Sequence, residues 1–173
     1  MKKTEKRKVL LLIASLGLIL MLITVFLPYT TATKEHATLL KMYSKEYSIP
    51  KLNIDGKDLI NISMFEYAKI YIGVKDMFKD YAQGIMYFTL VILIALFSLM
   101  ALVSIRKKKL KRTVVFTVLS LITFLIQSWD YKDRGVVTNL TYKWGLGYYI
   151  FIVASVIVLL CMLIYKRNKK TSE

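Results

Sequence analysis

The sequence predicts an all-α membrane protein, a four-transmembrane-helix bundle whose first extracytoplasmic loop is structured as a short β-hairpin followed by an amphipathic helix. Hydrophobic residues make up 56% of the 173 residues and the mean hydropathy is +0.50, which is more apolar than a water-soluble core requires. Four long apolar runs contain no charged residue. Basic residues cluster beside the ends of these runs. Together these features favour a chain that faces lipid.

The apolar runs have the lengths of membrane spans, because a helix rising about 1.5 Å per residue needs roughly 20 residues to cross a hydrocarbon core about 30 Å thick. They cover residues 9–28, 85–105, 113–129 and 147–165. The first run also resembles a secretory signal peptide, but it is longer than a signal core, and the residues after it form a poor cleavage site. We therefore expect a retained anchor and a single four-span domain over residues 1–173.

The distribution of Lys and Arg predicts the orientation, because short basic loops stay in the cytoplasm. Residues 1–8, 106–112 and 166–173 are strongly basic, whereas the loops 29–84 and 130–146 carry nearly balanced charges. Both termini are therefore predicted to be cytoplasmic, with two loops outside the cell membrane. The basic turn between the second and third spans also predicts a contact with anionic lipid, formed by Arg106, Lys107, Lys108, Lys109, Lys111 and Arg112.

The net charge of +15 and the pI near 9.8 would suggest nucleic acid as the partner of a soluble protein. Here the basic residues form three clusters at membrane boundaries. A nucleic-acid surface would gather them on one folded face with aromatic or polar readers between them. We therefore predict the lipid bilayer as a partner and exclude nucleic acid.

The first outer loop is too long to be a mere connection, so we expect it to carry structure of its own. Residues 49–54 and 58–62 are rich in apolar and β-branched side chains and flank Asp55-Gly56-Lys57. Because glycine tolerates the positive φ of a tight turn, this pattern predicts a β-hairpin.

An amphipathic helix is predicted directly after that hairpin. Ser63 is followed three residues later by Glu66, which is the spacing of a capping box. A helix beginning there places on one face Met64, Tyr67, Tyr71, Val74, Phe78 and Tyr81. Tyrosine-rich faces suit the membrane interface, because the ring is buried while the hydroxyl stays wet. The face is therefore either a lid packed on the bundle or a surface that binds a partner protein.

The residues that usually carry chemistry are scarce. His36 is the only histidine and Cys161 the only cysteine, and they are predicted on opposite sides of the membrane. A transition-metal site needs several such ligands, and nucleophilic catalysis needs a nucleophile beside its base. We therefore predict no catalytic residues, no metal and no cofactor. The absence of charged residues from the spans also argues against an ion-driven carrier.

Four segments carry a resemblance to known proteins: FLPYTTAT closing the first span, NISMFEYAK late in the first outer loop, the basic turn, and WGLGYYIFIVASVIVLL opening the fourth span. With this layout the chain resembles small uncharacterised four-span membrane proteins of Gram-positive bacteria. Its topology is also similar to that of claudin-like proteins. Residues 29–84 lack the Trp and Cys signature of the claudin first loop, so only the shape carries over.

Three function classes follow, in order of preference. The first is a non-enzymatic membrane protein acting through protein–protein contact, such as an accessory subunit, an envelope factor or a toxin-immunity protein; its partner would be a membrane or extracytoplasmic protein. The second is a pore or facilitator made by homo-oligomerisation and lined by Ser and Thr of the second and third spans. The third is a membrane enzyme of unknown type.

Overall fold

The computed structural model describes residues 3–73, 81–137 and 140–170. The described residues form six α-helices and three short strands: α1 (Lys3–Ile23), β1 (Pro28–Ala32), α2 (Lys34–Met42), β2 (Asn61–Ser63), α3 (Met64–Gly73), α4 (Tyr81–Arg106), α5 (Leu110–Asp133), β3 (Tyr142–Trp144) and α6 (Leu146–Lys170). The chain is therefore mostly helical with a small three-stranded sheet. The prediction of an all-α protein is therefore corrected: the chain also contains a small β-sheet.

Among the described residues, three helices are long and apolar enough to cross a membrane: Ile85–Arg106, Leu110–Asp133 and Leu146–Asn168. They contain the second, third and fourth predicted spans, and they indicate a membrane protein. The prediction of four spans is thus confirmed for three only. The first predicted span falls short because charged residues occupy the first turns of α1, which leaves the shorter apolar stretch Val9–Ile23 before the helix ends.

The long helix α1 lies antiparallel to α6 along nearly its whole length. At one end the Arg7 Nη2 donates a hydrogen bond of 2.5 Å to the Asn168 carbonyl. Midway, a Cβ built on Gly17 would lie 2.7 Å from Val158 Cγ2, so only glycine permits this separation of the helices. At the other end, the Leu27 carbonyl lies close to Gly147.

The helices α4 and α5 form a second antiparallel pair, joined by a tight turn at residues 107–109. Lys108 adopts a positive φ of 55° in this turn. Inside the pair, the buried Ser98 and Ser120 hydroxyls are 2.8 Å apart, and Ser120 Oγ also donates to the Ile94 carbonyl at 3.1 Å. Such hydrogen bonds hold helices together where lipid offers no polar partner.

The small sheet lies at one end of the bundle and has the order β2-β1-β3, with both pairs antiparallel. Thr30 of β1 faces Ile62 on one side and Trp144 on the other. We call residues 28–73 and 140–145 the cap, and the end of the bundle that carries them the cap end. The opposite end, where α1 begins, α4 turns into α5 and α6 finishes, is called the basic end.

The predicted hairpin over residues 49–62 is wrong. Residues Pro50–Leu52 and Asp58–Ile60 form single 3₁₀ turns. The bridge between Ile49 and Ile54 lies within the first predicted strand. The end of the second predicted strand pairs with β1 instead. Proline cannot donate to a ladder, and the Asp58 carboxylate accepts the Asp55 N–H at 2.9 Å, which closes the chain into a turn. Gly56 is needed for space, since a Cβ there would lie 2.8 Å from the Leu40 carbonyl.

The predicted capping box at the start of α3 is confirmed. The Ser63 N–H donates to Glu66 Oε2 at 2.8 Å, and the Glu66 N–H donates to Ser63 Oγ at 3.1 Å. The helix is described as far as Gly73. Val74, Phe78 and the side chain of Tyr81 lie outside the described residues, so their predicted place on the aromatic face stays a prediction.

We predict that Gly17→Leu destabilises the bundle by about 1 to 3 kcal/mol, because the new side chain overlaps the Val158 methyl group. Thermal unfolding in detergent, followed by Trp fluorescence, measures the loss. Val158→Ala in the same chain should restore part of the stability, and Leu16→Ile on the exposed face of α1 should have little effect. Equal melting temperatures for Gly17→Leu and Leu16→Ile would contradict the close α1–α6 contact.

Candidate functional site in the cap

A buried aromatic cluster joins the cap to the bundle, and Tyr29 of β1 lies at its centre. The Tyr29 ring makes edge contacts with Phe124 and Tyr131 of α5, at 5.7 Å in each case, and with Trp144 of β3 at 5.4 Å. Its hydroxyl is hydrogen-bonded to Ser128 Oγ at 2.8 Å. One side chain from the sheet therefore fixes α5 beneath it.

The aromatic face of α3 points into the same cluster. Met64 and Tyr67 are buried, and the Tyr67 hydroxyl is hydrogen-bonded to Thr30 Oγ1 at 2.9 Å. The Tyr71 ring stacks on Tyr87 of α4, with the centroids 4.4 Å apart. Of the six residues predicted to form this face, the described ones therefore pack inwards, as a lid would, and offer little surface to a partner.

A charged group borders the cluster where α4 and α5 reach the cap. The Tyr87 hydroxyl donates to Asp130 Oδ2, and Arg134 Nε donates to Asp130 Oδ1 at 3.0 Å. The Arg134 guanidinium also lies 5.0 Å from the centroid of the Tyr87 ring. These contacts tie the end of α5 to α4, which is a structural role for Asp130 and Arg134.

Burial controls the ionisation of the cap tyrosines. It raises the pKa of the Tyr29 and Tyr67 phenols, and it raises the pKa of Tyr142 to about 12. Tyr142 uses its protonated hydroxyl to donate to the Leu59 carbonyl at 2.9 Å. The three hydroxyls therefore keep their protons at neutral pH and act as hydrogen-bonding groups.

The helix α2 is fixed to the cap by one face. Leu40 is buried, the His36 ring packs edge-on against Tyr142 at 5.2 Å, and the Thr33 N–H donates to the Thr141 carbonyl at 2.8 Å. His36 therefore lies between aromatic rings in the cap. Cys161 is buried in the half of α6 that is nearer the basic end. The structure does not bring these two residues together.

Exposed apolar side chains lie along α2 and the turn that follows it, beside the residues that fix this helix to the cap. We call this surface the exposed stripe, and it consists of Leu39, Met42, Tyr43 and Tyr47. Met42 is 69% exposed, and the other three are each more than 40% exposed. Met42, Tyr43 and Tyr47 follow Leu39 by three, four and eight residues, a spacing that places all four along one side of the helix and the turn after it. Sequence reasoning missed this surface, although the spacing of Leu39, Met42 and Tyr43 was a usable signal.

The predicted lipid-contact residues all lie at the basic end and are exposed. Arg106 ends α4, Lys107 to Lys109 form the turn, and Lys111 and Arg112 are in the first turn of α5. In contrast, the buried Ser98 and Ser120 are hydrogen-bonded to each other between α4 and α5, and the buried Thr117 donates to the Thr113 carbonyl of its own helix. These three of the Ser and Thr residues expected to line an oligomeric pore therefore form hydrogen bonds within one chain.

No protein-family model matches the chain, and no curated protein matches its sequence. The resemblance to small four-span proteins of Gram-positive bacteria therefore stays a prediction. The cap, the exposed stripe and the basic end are the features from which a function has to be argued.

We predict that Tyr67→Asp prevents the cap from folding, because it buries a charge in the aromatic cluster at a cost of several kcal/mol. Tyr67→Phe should cost only about 1 kcal/mol, the value of one hydrogen bond. Resistance of the cap to a protease added to the membranes is the measurement. Lys69→Asp, on an exposed position of the same helix, is the matched control. A Tyr67→Asp chain as resistant as the control would show that the cluster does not hold the cap.

Proposed function

We propose that this chain is a non-enzymatic multi-pass protein of the cell membrane that acts by contact. Its cap would bind a membrane or extracytoplasmic protein along the exposed stripe. Accessory subunits, envelope factors and toxin-immunity proteins all work in this way. The observation that carries the proposal is the exposed stripe itself, an apolar surface on a helix that Leu40 and His36 hold against the cap.

The character of the stripe supports a protein as its partner. Apolar and aromatic side chains at its centre are flanked by charges of both signs, including Glu35, Lys45 and Glu46. Protein interfaces have such an apolar centre and a polar rim. Helices that lie on membranes usually carry a mainly basic polar face instead. The fixed position of α2 also lowers the entropy lost on binding.

We further propose that α1 is a fourth membrane crossing. It lies antiparallel to α6, from the Arg7 contact with Asn168 to the Leu27 contact with Gly147. Helical hydrogen bonds continue past its end, with the Leu27 N–H donating to the Thr24 carbonyl at 3.2 Å. The stretch from Val9 to Leu27 then spans about 28 Å, which matches a hydrocarbon core. Its exposed side chains, among them Leu12 and Leu16, are apolar and suit lipid.

The positive-inside rule then places the basic end in the cytoplasm, since residues 5–8, 106–112 and 166–168 are gathered there. The cap lies outside under this orientation, and both termini lie in the cytoplasm. A chain with both termini on the same side crosses the membrane an even number of times. A crossing by α1, added to the three apolar helices, gives four.

We predict the labelling pattern of single cysteines introduced into a Cys161→Ser chain. A membrane-impermeant maleimide added to intact cells should label Lys41→Cys in α2. It should label Lys6→Cys and Lys108→Cys only after the cells are permeabilised. Labelling of Lys6→Cys and Lys41→Cys from the same side would contradict the crossing by α1.

We predict that a photo-crosslinking amino acid at Tyr43 captures one defined membrane or extracytoplasmic protein in native membranes. The same amino acid at Lys41, which lies on the other side of α2, should capture much less of that protein. Met42→Asp should abolish the capture from Tyr43 without changing expression, because Met42 is mostly exposed. Lys41→Asp is the matched control.

Two results would contradict the contact proposal. Equal capture from Tyr43 and Lys41 would show that the stripe is not a selective surface. A crosslink only to a second copy of this chain would favour the homo-oligomeric alternative. In either case the labelling pattern of the cysteine variants is unaffected, so the topology and the contact are tested separately.

A further inference from the structure

A surface groove of about 910 Å³ lies between α5 and α6 at the basic end. Its apolar wall is formed by Leu110, Val114, Val115, Met162 and Leu163, and its rim by Lys108, Lys109, Lys111, Arg112 and Lys166. The rim therefore includes a residue of α6 and omits Arg106 and Lys107. The other four rim cations belong to the basic turn of residues 106–112, so the groove uses only part of that turn.

The rim concentrates positive charge that no acidic residue in the described ranges balances. No carboxylate lines the groove, and within the described parts of the chain none of the five rim cations forms an ion pair with an acidic residue. Positive charges held close together repel one another, and an anion that binds among them relieves this repulsion. The first turn of α5, which begins at Leu110, adds the partial positive charge of a helix amino terminus.

Charge and apolar surface are arranged in order of depth. Lys111 and Lys166 lie closer to the helix ends than Val115 and Leu163, which are about one turn further into the bundle. Val115 is 54% exposed and Leu163 is 62% exposed, so the wall is open to an apolar ligand. A ligand that satisfies both parts must be an amphiphile with an anionic head and a hydrocarbon tail. A free phosphate would leave the wall unused.

We propose that this groove binds one anionic phospholipid of the adjacent leaflet. The phosphodiester lies among the rim cations, and an acyl chain lies along Val115 and Leu163 between the two helices. Charge complementarity selects the anionic headgroup, and the apolar wall selects a lipid over a soluble phosphate. This site is independent of the proposed contact through the exposed stripe, which lies in the cap at the other end.

The test uses the full chain in nanodiscs that contain phosphatidylcholine and phosphatidylglycerol in equal amounts, with retained lipids measured by native mass spectrometry. The wild-type chain should retain phosphatidylglycerol in preference to phosphatidylcholine. Arg112→Gln with Lys166→Gln should weaken this retention roughly 30-fold, since each basic residue contributes about 1 kcal/mol near an anionic lipid and 1.4 kcal/mol is a factor of ten. Arg106→Gln with Lys107→Gln removes the same charge outside the groove and should change retention little.

A second pair of variants tests the apolar wall without changing charge. Val115→Trp should fill the groove and displace the lipid, whereas Ile122→Trp, two turns along the same face of α5, should not. Equal effects of groove and control variants would overturn the proposal, since they would show a general attraction to anionic lipid. Equal retention of both lipids by the wild type would also overturn it. So would displacement of phosphatidylglycerol by soluble glycerol phosphate.

Discussion

The backbone of β1 is the constraint on which the rest of the cap depends. The chain enters β1 at Pro28, beside the apolar end of the bundle, and backbone groups in such a place need hydrogen-bonding partners. β1 obtains them from both sides, through β2 and β3. Gly145 is required beside it, because a Cβ there would collide with the Pro28 carbonyl. Through β2 and β3, which lead into α3 and α6, this five-residue strand links α1 to both helices. The Tyr29 side chain links the strand to α5 as well, through its hydrogen bond with Ser128.

This construction explains why one aromatic surface of the cap is buried and another is exposed. The Tyr67 face of α3 follows directly from β2, so the sheet turns it down onto the bundle. The helix α2 follows β1 and is held by Leu40 and His36, and Met42 and Tyr43 remain exposed. A tyrosine-rich helix on the outside of a bundle can therefore be a structural lid, while a less regular segment carries the surface available to a partner.

The sequence-based predictions were accurate where the controlling interactions are local. The apolar runs identify the three helices that are long and apolar enough to cross a membrane, and the spacing of Ser63 and Glu66 identifies the start of α3. Both signals act within a single element of the chain. The sheet could not be predicted in this way. Its strands β2 and β3 have three residues each, and their partner Thr30 is distant in sequence, so no periodic pattern marks them. The Gly56 signal was misread because its cause is the approach of α2 rather than a positive φ.

The two ends of the bundle are held together by different means. At the cap end, the sheet and the aromatic cluster connect the α1–α6 pair to the α4–α5 pair. At the basic end, α5 and α6 are separated by the groove, and repulsion among the rim cations opposes closing it with protein alone. An amphiphile with an anionic head can enter that gap and contact both helices at once. Under the proposed orientation, the basic residues on the cytoplasmic side therefore also form the place where a lipid can complete the packing between α5 and α6.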